Sequence, residues 1–108
     1  MKANELMIGD WVYYGDKPGQ VLQLSDGKDY PHIKPIPLTA EILEKSGFEC
    51  RGAWMIPGKD LGLRQDGDSW GVLLYYADYH ALTLCHIAYL HELQHLLHLC
   101  GIDKEITI

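Results

Sequence analysis

Followed for its apolar positions, the chain breaks into short runs with period two, interrupted by two stretches of helical period. "DWVYY" (10–14) is short and aromatic around Val12. "QVLQL" (20–24) alternates and sets Leu22 and Leu24 on one face. Between them "GDKPG" places two glycines about a proline, a turn signal, and Asp26-Gly27 offers a second turn. "YPHIKPIPL" (30–38) carries three prolines. Each proline lacks an N–H donor, so this piece fits an edge or cover strand and not a central one. Three short extended pieces with tight turns predict a small curled sheet, of the SH3-like barrel kind.

The first helical stretch is "PLTAEILEKSGFE". Thr39 can accept from the first-turn N–H groups, Glu41 suits the positive end of the helix dipole, and Ile42 and Leu43 make a narrow apolar stripe. Gly47 supplies a left-handed closing residue, after which Phe48 can fold back. From 50 to 87 the pattern returns to strands. "GAWMI" leads into Pro57-Gly58, Leu61 and Leu63 alternate in "DLGLRQ", and Asp66-Gly67 joins that run to "WGVLLYY" as a hairpin. After "ADYH", Ala81, Thr83 and Cys85 alternate with Leu82 and Leu84. These spacings predict an antiparallel meander of three or four strands.

The second helix spans roughly 88–100. No Ser, Thr, Asp or Asn stands directly before it, so its N-cap is not evident. Its end is clearer: Gly101 fits the first residue past the C-cap, with Ile102 turned back toward Leu97. "KEITI" then predicts a short edge strand. The fold class that follows is α+β: a β-rich N-terminal part (1–37), then a short helix, an antiparallel sheet and a C-terminal helix (38–108), forming one domain. The helix is expected to pack on the meander through Leu90, Leu93 and Leu97.

Composition narrows the function classes. With 47% apolar residues in 108, the chain can bury one modest core, and seven Tyr and three Trp argue against disorder. The net charge is −6 and the nine basic residues form no run, which disfavours nucleic acid. Cys50, Cys85 and Cys100 lack CxxC spacing, and an odd count makes a poor disulfide framework. They read as reduced thiols acting as small apolar residues, with Cys85 in the core, and so point to the cytoplasm. No run at the start suits a secretory signal, and none approaches the roughly 20 apolar residues of a membrane span.

The candidate chemistry is "HELQHLLHLCG" (91–101), which contains H-E-x-x-H. Histidines at i and i+4 share a helix face and can hold one zinc, and a zincin's base follows the first of them. That makes His91, His95 and His98 candidate metal ligands and Glu92 a candidate catalytic base. Several considerations weigh against it. Catalytic zinc needs three protein ligands and an open position. In the extended motif His98 stands where glycine belongs and Gly101 where the third histidine belongs. Along a straight helix His91 and His98 lie about 10 Å apart. A chain this short also has little material for a substrate cleft, and a His- and Leu-rich helix produces the motif readily by chance. On a helical wheel Leu90, Leu93, Leu97 and Cys100 form the inner face, while His91, His95 and His98 form a stripe facing away. Leu93→Ala is then expected to destabilise and His95→Ala to be near neutral.

The other constellations are weaker. "DGKD" (26–29) and "DGDS" (66–69) lack the ligand pattern of a calcium loop and read as turns. Cys85 and His86, adjacent on a strand, point to opposite faces, which argues against a nucleophile–base pair. Trp11, Tyr13, Tyr14, Tyr75, Tyr76 and Tyr79 exceed what a small core hides. They read mainly as sheet-face packing, with exposed members able to grip a peptide or stack on bases.

At "MIGDWVYY", "IKPIPLTAEILEKSGFE" and "YLHELQHLLHLCGIDKEI" the sequence resembles a group of small uncharacterised proteins of gut Bacteroidetes and their prophages. The group's helix pattern, His-x-Leu-Gln, matches His91, Leu93 and Gln94 but requires neither Glu92 nor His95. The resemblance implies a shared fold and a mobile-element origin, with no activity to transfer. The function expected is a non-catalytic interaction module that binds a protein partner or its own copy through exposed aromatics and the His stripe, with no cofactor and no membrane. The alternatives are a small zinc hydrolase using His91, Glu92 and His95, and single-stranded nucleic-acid binding.

Overall fold

A computed structural model describes residues 1, 5–23, 30–77 and 80–108. Eight strands and two helices make an α+β chain, with one three-stranded and one five-stranded antiparallel sheet. It divides into two compact units, 1–37 with 89–104, and 38–88 with 105–108.

In the first unit β1 (Trp11–Tyr14) is central, flanked by β2 (Lys17–Gln20) and β3 (Ile33–Pro35). Val12 is fully buried and shares a core with Leu6, Val21 and Ile33. The β1–β2 loop is Gly15-Asp16, because Tyr14 pairs with Lys17, and Gly15 takes a positive φ of 67°. This two-residue loop fixes the register. It moves the second strand to 17–20 from the expected 20–24, and Pro18 is tolerated because β2 is an edge. Val21 becomes core and Leu22 is exposed, reversing the expected face; Leu24 and the Asp26-Gly27 turn lie outside the described residues. The proline-bearing β3 is an edge strand, as its missing donors require. Among the described residues the sheet is open, in the order β2-β1-β3, and not closed as a barrel.

Helix α2 (Leu90–Leu99) belongs to this unit and not to the meander unit where the sequence placed it. Leu90, Leu93 and Leu97 are its buried leucines. Its first free N–H, on Leu90, donates to Ile36 O at 2.8 Å. Its end follows the Schellman pattern: Ile102 N–H donates to Leu97 O (2.9 Å), Gly101 N–H to His98 O (3.1 Å), and Gly101 has φ 68°. Cys100, expected on the inner face, is the C-cap and is exposed.

In the second unit α1 (Ala40–Lys45) starts at Thr39, whose hydroxyl accepts from Ile42 N–H. Gly47 and Phe48 close it with a second Schellman pair, to Glu44 O and Leu43 O. The sheet runs β4 (Glu49–Cys50), β5 (Trp54–Met55), β6 (Leu61–Asp66), β7 (Ser69–Ala77) and β8 (His80–Ile87), each paired with the next. Asp66 pairs with Ser69 across Gly67-Asp68, the expected hairpin. Leu61, Leu63, Trp70 and Val72 lie buried, and the Trp70 indole donates to Leu38 O at 3.0 Å. Residues 104–108 form no strand. Instead Thr107 N–H donates to Ser46 Oγ at 3.0 Å, Ser46 donates back to Thr107 O, and Ile106 is buried.

Gly101→Ala forces a side chain into the left-handed region and is expected to cost about 1 kcal/mol. A urea titration reads this as a lower midpoint with unchanged slope.

Candidate functional site

The H-E-x-x-H helix meets the start of β1, and the contact is polar. The Gln94 carboxamide reads the backbone of Gly9–Trp11 from both sides: its Oε1 accepts from Trp11 N–H at 2.7 Å and its Nε2 donates to Gly9 O at 3.0 Å. Beside it His95 Nε2 lies 2.6 Å from Asp10 Oδ2. Asp10 is 2% exposed, and the same oxygen accepts from Met7 N–H at 2.8 Å. An oxygen already accepting one hydrogen bond calls for a donor at Nε2, so that nitrogen of His95 is committed to Asp10.

His91 lies one turn earlier and is only 7% exposed. Its ring stacks on Tyr89 (centroids 6.0 Å, planes 12° apart) and meets His95 edge-on at 5.6 Å. Its Nδ1 is buried without a hydrogen-bond partner among the described residues. Burial lowers the His91 pKa below its ordinary 6.5, helped by His95 and opposed by the carboxylates of Asp10, Glu92 and Glu5. The imidazole is therefore held neutral near pH 7.

The outward His stripe expected from the wheel is thus corrected at two of its three members. His91 is buried and His95 is the partner of a buried carboxylate; His98 alone is exposed. A wheel assigns polar residues to solvent by default and cannot see Asp10, 85 positions away in the chain.

Glu92 also has a structural task. Its carboxylate accepts from Tyr89 N–H at 3.0 Å, the reciprocal half of a capping box at the third helical position. The N-cap that the sequence reading did not find is Tyr89. The three histidines divide between two open cavities. His91 and Glu92 line one of about 440 Å³, with Glu5, Pro35 and Tyr89. His98 lines another of about 210 Å³, with Asp10, Gln94 and Ile102. His95 touches both. Among the described residues no three His, Cys, Asp or Glu side chains are grouped to hold a metal ion. His91, Glu92, His95 and Glu5 do line one cavity, while the Glu92 carboxylate and His95 Nε2 already have partners within the fold.

The remaining candidates lie elsewhere. Cys85, expected in the core, is exposed on β8, as is its neighbour His86, which lies 3.4 Å from exposed Asp66. Trp11, Tyr13 and Tyr75 are half-buried, Tyr14 and Tyr76 are exposed, and Tyr79 lies outside the described residues. No helix among the described residues is long and apolar enough to cross a membrane.

What sequence reasoning passed over is the exposure of β8, a strand it did place in the meander. Every residue from His80 to His86 is exposed, and the strand closes the sheet as its last member. Leu82 is 55% and Leu84 49% exposed, next to Leu74 and a 63% exposed Tyr76 on β7. The signal was present: His80–Ile87 contains no charged residue and no proline.

Removing the His95 ring leaves the buried Asp10 carboxyl with the Met7 N–H but without its side-chain partner, so His95→Ala is expected to cost about 1–3 kcal/mol. Leu93→Ala, which empties a core position, should cost about 2–5 kcal/mol. His98→Ala should lie within about 0.5 kcal/mol of the parent. Chemical denaturation of the three variants gives the ranking. A folded-state pKa below the unfolded 6.5 means that the unfolded chain takes up the proton first. The His91 contribution therefore holds above about pH 6.5 and is lost as pH falls through that value toward the folded pKa. His91→Leu should flatten the fall in stability that sets in below about pH 6.5. Comparison of the chain with family models, curated proteins and solved structures gives no match, so the site is read from its own geometry.

Proposed function

We propose that this protein is a non-catalytic interaction module whose docking element is the β7–β8 hairpin. The observation that carries the reading is the long, neutral, exposed edge strand β8, flanked by Leu74, Tyr76, Leu82 and Leu84. An edge strand presents a row of main-chain donors and acceptors that an incoming extended chain can pair with. Natural sheets blunt such edges with charges, prolines or short length. The opposite edge of this sheet does so: β4 has two residues and carries an ion pair, Arg51 to Glu49 at 2.8 Å. β8 has eight residues with no Asp, Glu, Lys, Arg or proline, and its pairing with β7 slips in register at Leu84 and at Tyr76. The exposed leucines would give the main-chain pairing an apolar anchor.

The exposed aromatics retain a part in this reading, through Tyr76. The His stripe does not, since its first two members are occupied inside the fold. The zinc-hydrolase alternative draws less support, because Glu92 caps the helix and His95 Nε2 is committed to Asp10. Single-stranded nucleic-acid binding is disfavoured by the charge of −6.

Selection of random linear peptides displayed on phage tests the reading. Peptides are expected to bind at micromolar strength, to shift backbone amide resonances of β7 and β8, and to lose roughly tenfold or more in affinity for Leu82→Lys. Resonance shifts confined to other elements, or no selected peptide, would sink it. One zinc per chain in untagged protein, with hydrolysis abolished by Glu92→Gln, would favour the alternative.

A further inference from the structure

The sequence of β8 has a symmetry that its neighbours lack. Taken about Thr83, "HALTLCH" (80–86) reads nearly the same in both directions: Leu82 mirrors Leu84, Ala81 mirrors Cys85, and His80 mirrors His86. Two copies of one strand laid antiparallel bring residue i opposite its mirror position. A two-fold axis at Thr83 would therefore set Thr against Thr, Leu against Leu, a small residue against a small residue, and His against His.

Such like-with-like pairing is what an isologous seam requires, since each surface must complement itself. It also bears on the electrostatics. Two chains of net charge −6 repel one another, yet His80–Ile87 contains no Asp, Glu, Lys or Arg, and its only titratable rings are His80 and His86, the latter 3.4 Å from Asp66. Leu82 and Leu84, both about half exposed, would each cover the other's partner across the axis, and cross-strand apolar pairs stabilise antiparallel strands. Leu74, paired with Leu82 on β7, continues the apolar strip inward. The slip in register at Leu84 has no counterpart at Leu82, so the mirror about Thr83 is one of sequence and not of backbone.

From these observations we propose that the partner of β8 is a second copy of this chain. The two five-stranded sheets join edge to edge through antiparallel β8 strands related by a two-fold axis at Thr83. This rests on the docking reading above and names its occupant. Eight residues a side make a small seam, below the roughly 1,200–2,000 Å² of standard interfaces, so the dimer is weak and reversible.

Sedimentation equilibrium of the full chain at rising concentration is expected to show monomer and dimer exchanging. Leu82→Lys combined with Leu84→Lys should leave a folded monomer, since both side chains are exposed and circular dichroism can verify the fold. The axis is located by disulfide trapping in a Cys50→Ser, Cys85→Ala, Cys100→Ser background. Opposed Cα atoms of antiparallel strands lie about 4.5–5.5 Å apart, within disulfide reach. Thr83→Cys in that background should give a covalent dimer on mild oxidation, and Ala81→Cys, which faces position 85, should give little. A chain that stays monomeric at all concentrations overturns the proposal, as does a dimer indifferent to the paired lysines or trapped preferentially at position 81. A monomer that still binds selected peptides along β8 would leave the docking reading standing and remove only its occupant.

Discussion

The contact on which the first unit depends is the seating of the last helix on the first strand by polar side chains. Gln94 and His95 are consecutive, and they engage three consecutive residues, Gly9, Asp10 and Trp11. Leucines alone would let α2 rotate or slide, because apolar contact carries no direction. A carboxamide with one donor and one acceptor engaged cannot rotate without breaking both bonds. An imidazole on a buried carboxyl adds a third constraint, since an unpartnered group there would bear the full desolvation cost. The helix is thereby fixed in register, and Leu90, Leu93 and Leu97 are held inward. The burial of His91 follows from the same rotation: one turn before His95 on the same face, it goes wherever His95 is held.

The second unit solves a different problem. Its core is built on residues from β6 and β7 together with Leu43 and Phe48, brought by a helix of six residues capped at both ends. Trp70 is buried because its one polar atom finds Leu38 O. Ser46 ties residue 107 to the end of α1, so the last residues of the chain contribute Ile106 to the core without forming a strand. None of these contacts reaches the far side of β8. Among the described residues the sheet ends at the ion-paired β4 on one side and at the exposed β8 on the other.

Much of the fold was legible because it is written locally. Thr39, Gly47 and Gly101 announce helix ends through the backbone geometry that each residue type favours, and the two Schellman closures occur where they indicate. Asp66-Gly67 and Pro57-Gly58 mark their turns for the same reason. The failures share another cause. The second strand was misplaced because Pro18 argues against a strand unless its edge position is known. Cys85 and Cys100 were set in the core on their usual preference, although one lies on an unpaired edge and the other is a helix cap. The histidines were sent to solvent because nothing near them in sequence could satisfy them. In each case the deciding partner, or its absence, lies far along the chain, where no local pattern can register it.

Each fixed letter of the H-E-x-x-H string has a contact within the fold. The residue before the helix, Tyr89, has a backbone N–H to satisfy, and Glu92 at the third helical position accepts from it. A buried Asp10 at the start of β1 needs a donor from the helix above, and His95 stands one position after the glutamine that fixes the register. His91, on the same face, has its ring stacked on Tyr89 and its charge suppressed by burial. Capping, anchoring and packing thus each select one letter of the string independently. A zincin needs the same letters to act together, with both imidazoles and a third ligand turned to one ion and the glutamate free to take a proton. Here the glutamate is bound to the backbone and one imidazole to a carboxyl. Spacing alone does not distinguish the two arrangements, and only the partner of each side chain does.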